Sequence, residues 1–63
     1  MKYIIIKQED GWFRCDGRTR DDGTPESWHE IHLNKAIKSM KKFAKNSNKE
    51  KIRRKDITFL EEF

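Results

Sequence analysis

Residues 33–46 read LNKAIKSMKKFAKN. At about 100° per residue, Leu33, Ala36, Ile37, Met40, Phe43 and Ala44 fall within an arc of roughly 120°, the spacing of an amphipathic helix. Lys35, Lys38, Lys41, Lys42 and Lys45 occupy the opposite side. Asn34 is the expected N-cap, because its side-chain oxygen can accept from a free N–H of the first turn. The lysines grow denser toward the C-terminal end, where the helix dipole favours cations. Asn46, Ser47 and Asn48 stop the helix. One face therefore needs an apolar partner, which the rest of the chain must supply, and the other is a lysine ridge.

Working outward, Ser27–Leu33 (SWHEIHL) reads as a strand that runs straight into the helix. If Leu33 points to the core, alternation puts Ile31 and His29 with it and Trp28, Glu30 and His32 on the other face. Residues 16–26 (DGRTRDDGTPE) hold two Asp-Gly pairs, the only proline and almost nothing apolar, so they read as a long surface loop. Lys2–Gln8 (KYIIIKQ) and Trp12–Cys15 (WFRC) read as two strands of a hairpin turning at Glu9-Asp10-Gly11. Beyond the helix, 46–55 is polar and basic, and Ser47-Asn-Lys-Glu50 matches a capping box, so a short helical turn and a loop both fit. Asp56–Phe63 (DITFLEEF) is a last strand.

The fold class expected is α+β: a small antiparallel sheet, a three-stranded meander plus a C-terminal strand, with the helix packed on one face in the order β-β-β-α-β. The inner set is Ile4, Ile6, Phe13, Cys15, Ile31, Ile57 and Phe59. The outer set includes Tyr3, Ile5, Lys7, Trp12, Arg14, Trp28 and His32. A one-residue slip exchanges the two sets, and would make Trp12 or Trp28 a core residue.

All 63 residues form a single domain, 1–63, of a size that buries only about 60% of its unfolded surface. Cys15 is the only cysteine, so no intramolecular disulfide can form, which suggests a reducing compartment. No apolar run approaches the roughly 20 residues that span a bilayer. YIII lacks the length and cleavage site of a signal peptide. The expectation is a cytoplasmic chain, complete from Met1, with no membrane partner.

Charge is segregated along the chain. Residues 1–33 hold five basic and seven acidic side chains, 34–55 hold ten and one, and 56–63 hold none and three, so the middle segment alone is +9. Such a concentration attracts polyanions, which makes nucleic acid, DNA or RNA, the first partner to consider. The competing reading is a lysine face that only confers solubility.

Enzyme chemistry finds no support. His29 and His32 lie three apart on a strand and so point to opposite faces. Cys15 fits a small core residue better than a nucleophile, and there is no phosphate-binding glycine loop. We expect a non-enzyme, without cofactor or metal, that binds nucleic acid through a lysine-rich helix face and an aromatic and basic sheet face. Lys38, Lys41, Lys42, Lys45, Arg53 and Arg54 would contact phosphates, and Arg14, Trp12 and Trp28 would supply base contacts or stacking.

Residues 3–46, three strands running into a helix, resemble in layout the plant AP2-type and integrase arm-type DNA-binding domains, which implies a sheet laid into the major groove. In size and charge character the chain is also similar to phage accessory proteins. That resemblance implies an inhibitor of a host protein or nucleoprotein complex, a polymerase or a defence system, with the acidic segments 16–26 and 56–63 imitating nucleic acid. A homodimer through the uncovered sheet face or an edge strand is compatible with either.

Overall fold

The computed structural model describes residues 3–19 and 25–62. Four strands and one helix follow in the order β1 (Tyr3–Lys7), β2 (Phe13–Thr19), β3 (Pro25–Glu30), α1 (Leu33–Ser47) and β4 (Ile57–Glu61), with a 3-10 turn at Arg54–Asp56 just before β4. The class is α+β, as expected, and the sheet is open, with strand order β3-β2-β1-β4.

β1 and β2 form the anticipated hairpin. Gln8 donates its N–H to the Trp12 carbonyl (2.9 Å), Gly11 donates to Gln8 (3.0 Å), and the Asp10 carboxylate accepts from the Trp12 N–H (3.0 Å). Gly11 has φ 88°, the left-handed geometry that a three-residue hairpin loop requires at this position and that glycine adopts without steric cost.

β4 pairs parallel to β1, so the sheet is mixed rather than wholly antiparallel. The helix is the cause. Fifteen residues at about 1.5 Å each carry the chain back some 22 Å along the sheet, so the strand that follows must run in the same direction as β3 and β1.

The core lies between the helix and one face of the sheet: Tyr3, Ile5, Cys15, Ala36, Ile37, Met40, Ala44 and Ile57 are buried, with Phe13, Trp28, Leu33, Phe43 and Ile52 packed against them. The whole expected helix stripe faces the sheet, and Ala36 and Ala44 are small enough to let the backbone approach it closely.

Three expectations are corrected. In β1 the inner residues are Tyr3 and Ile5, while Ile4 and Ile6 lie on the other face. YIII is apolar at every position, so alternation alone offers no choice of face. The choice falls to Tyr3, whose hydroxyl donates to the Glu50 carboxylate and accepts from Asn48 Nδ2 (2.8 Å), both beyond the end of the helix.

In β3 Trp28 faces the helix and His29 and Ile31 are exposed. Counting back from Leu33 fails because the chain bends at Ile31–His32, which resets the alternation between strand and helix.

The loop expected at 16–26 is partly strand. The β2–β3 ladder runs from Phe13↔Glu30 to Asp16↔Ser27 and resumes at Thr19↔Pro25 across a register irregularity. The remainder, 20–24, lies outside the described residues, as do its acidic side chains at 21 and 22.

The helix ends also differ in detail. α1 begins at Leu33 with extended His32 in the N-cap position and no side-chain cap, so Asn34 sits inside the first turn. No turn forms at 47–50. There the Asn48 and Glu50 N–H groups both reach the Ala44 carbonyl, and Lys49 takes a left-handed φ of 56°.

Candidate nucleic-acid interface

α1 presents its charge as its periodicity requires. Lys35, Lys38, Lys41, Lys42 and Lys45 are all exposed on the side away from the sheet, and the first turn has no acidic residue. Lys38, Lys41, Lys42 and Lys45 span about 10 Å of helix rise. A duplex segment of that length carries about six phosphates.

The charge continues past the helix. Lys49, Lys51, Arg53, Arg54 and Lys55 are exposed, and the connection they occupy leads to the edge of the sheet, where the Arg54 guanidinium lies 5.4 Å from the centre of the Phe59 ring. None of the ten cations from Lys35 to Lys55 forms an ion pair with a described residue. Asp56 binds the Arg53 backbone N–H (2.8 Å) and is thereby committed to the turn. The six helix and connection residues singled out from sequence, Lys38, Lys41, Lys42, Lys45, Arg53 and Arg54, are thus all exposed.

The sheet residues are separated from the helix lysines and from each other. Trp28 is on the helix side, its ring 5.1 Å from Phe43 and its Nε1 donating to Ser39 Oγ (3.0 Å), which in turn donates to the Ala36 carbonyl (2.9 Å). It is a packing residue, which corrects its assignment to an aromatic outer face. Trp12 extends β2 with the parity of Arg14, on the face opposite the helix, and is 42% exposed. The Arg14 Nε bonds Asp16 Oδ1 at 3.0 Å, so its charge is locally neutralised.

The outer face is therefore mixed, an apolar strip with polar neighbours, rather than basic. Ile4, Ile6 and Leu60 line it beside Thr58, Trp12, Arg14 and Asp16 flank them, and His29 and Ser27 complete it toward β3. Trp12, Arg14 and His29 on this face are of the types that stack on bases, but they lie away from the helix lysines.

Cys15 is fully buried on the helix side, where burial pushes its thiol up to about 11. The Ser39 hydroxyl opposes that rise, and the Glu30 and Asp16 carboxylates add to it. His29 is on the other face, so the two do not form a catalytic pair. No helix among the described residues is long and apolar enough to cross a membrane. Comparisons with protein-family models, curated proteins and solved structures find no match to this chain.

Proposed function

We propose that this chain is a small non-enzymatic module that binds nucleic acid in the cytoplasm through the outer face of α1 and the basic connection that follows it. The observation that carries this reading is the band of ten exposed cations from Lys35 to Lys55, none held in an ion pair with a described residue. Free cations release condensed counterions from a phosphate backbone, and each such contact lowers the slope of log K against log salt by about 0.9 on duplex DNA. The binding is backbone-directed and tolerant of sequence, because the residues with base-reading capacity are packed against the helix, as Trp28 is, or lie on the opposite face, as Trp12 does.

The test is titration of labelled duplex DNA, single-stranded DNA and duplex RNA, read by anisotropy at several salt concentrations. Lys41→Glu combined with Lys45→Glu should weaken binding at least tenfold for every sequence, and should reduce the magnitude of the salt slope by about 2. Both positions are exposed, so the circular dichroism spectrum should not change. Unaltered affinity in that variant would remove the helix face from the interface.

One observation favours a second reading. The outer face, with Ile4, Ile6, Leu60 and Trp12, offers apolar surface of the kind a protein partner covers. Under this reading the chain is an accessory protein of the phage type that inhibits a host protein or nucleoprotein complex. A Trp12→Ala variant that loses such a partner while wild-type protein fails to bind any nucleic acid would replace the first reading with the second.

A further inference from the structure

The two edges of the sheet are finished differently. β3 begins at Pro25 and has α1 packed over its Trp28. α1 leans on β2, β3 and β1 and leaves β4 nearly bare. Within β4, Phe59 is 41% exposed on the helix side and Leu60 48% exposed on the other. ITFLE contains no lysine or proline, and its single charge, Glu61, stands at its last position, so the usual guards of an edge strand against pairing are missing from its middle.

Its backbone is also available. Glu62 donates its N–H to the Lys7 carbonyl (2.8 Å). In a parallel ladder the direction of the backbone groups alternates, so Thr58, Leu60 and Glu62 address β1. Phe59 and Glu61 then turn their N–H and C=O groups to the open edge.

The charges at the two ends of β4 select the occupant. Arg53, Arg54 and Lys55 precede the strand, and Glu61 and Glu62 close it. A strand that is cationic at its start and anionic at its end is complementary to itself when antiparallel and repels itself when parallel. We propose that β4 pairs antiparallel with β4 of a second copy of this chain, about a two-fold axis through Thr58.

That register sets Ile57 against Phe59 on the helix side, and it brings the 3-10 turn that carries Arg54 and Lys55 beside Glu61 and Glu62 of the second copy. The neighbouring register, centred on Phe59, would bring the Asp56 end of that turn toward Glu62 of the second copy and is disfavoured by like charge. The two four-stranded sheets continue as one, the two helices share a face, and their lysine ridges remain open. The pairing is isologous, so it closes at the dimer.

Sedimentation equilibrium on the full chain tests the pairing. Wild-type protein should be a dimer that weakens as salt rises. Lys55→Glu and Glu61→Lys should each weaken it at least tenfold, and the two together should restore it, because the swap rebuilds both pairs with reversed sign. Phe59→Lys should give a folded monomer by circular dichroism. A monomeric wild type at every concentration, or single variants as tight as wild type, would overturn the proposal.

Cysteine cross-linking tests the register separately. Thr58 pairs with itself at a non-hydrogen-bonded position, where Cα atoms are about 4.5 Å apart, within disulfide range. Under mild oxidation Thr58→Cys should form a covalent dimer much faster than Leu60→Cys, with buried Cys15 spared in both. Equal rates would rule out this register and the two-fold with it.

Discussion

Gly17 is a glycine for a reason that lies 26 positions further along the chain. A Cβ built there would stand 2.3 Å from Cε1 of the Phe43 ring, so the bare backbone of β2 is what lets the ring lie against Trp28. Gly17→Ala should therefore cost about 1–3 kcal/mol, as overpacking of a filled core does. In a domain this small that lowers the melting midpoint by at least about 4 °C. Phe43→Leu in the same chain should recover part of the loss, and a double-mutant cycle in urea would show the coupling. Cys15 makes a second residue-scale prediction. Its folded thiol is at about 11 against an ordinary value of 9.0, so the contribution is complete below pH 9 and disappears as pH rises from 9 toward 11, where the unfolded chain ionises first. Unfolding by urea at pH 8 and pH 10.5 should show a larger drop in stability for wild type than for Cys15→Ala. Native protein should also resist thiol reagents at neutral pH until it unfolds.

At the scale of elements, α1 owes its place to its apolar stripe, since its N-terminus carries neither a side-chain cap nor an acidic residue. His32 occupies the N-cap position with extended backbone and an exposed ring. His32→Asp would supply the missing acceptor and a negative charge at the positive end of the dipole. We expect a gain of about 0.5–1.5 kcal/mol, measured as a shift in the urea midpoint at constant m. The helix was legible because six apolar side chains recur on one face. β2 and β4 showed their inner pairs, Phe13 with Cys15 and Ile57 with Phe59, for the same reason. β1 hid its facing because four consecutive apolar residues satisfy either choice. In β3 the facing was hidden by a bend that no pattern of residue types announces.

At the scale of the molecule, Tyr3 ties the first strand to the segment that returns to β4. Its hydroxyl engages Glu50 and Asn48, 47 and 45 residues away, and its ring is buried under the helix end. Tyr3→Phe keeps the packing and removes both bonds, so it should cost about 1–2 kcal/mol, with loss of the charged partner the larger part. Hydrogen exchange should quicken at residues 48–56 more than in the β1–β2 hairpin. The same scale separates what the chain announces from what it hides. Local periodicity and turn chemistry suffice to define the helix, the hairpin, the element order and the exposed lysine band, because each depends on residues close in sequence. Three features arose only in the folded molecule: the face on which Trp28 lies, the parallel pairing of β4 with β1, and the bare, self-complementary edge that β4 leaves. These were decided by contacts between residues far apart in sequence, Tyr3 with Glu50 and Gly17 with Phe43 among them, and by the length of a helix that returns the chain to the start of the sheet.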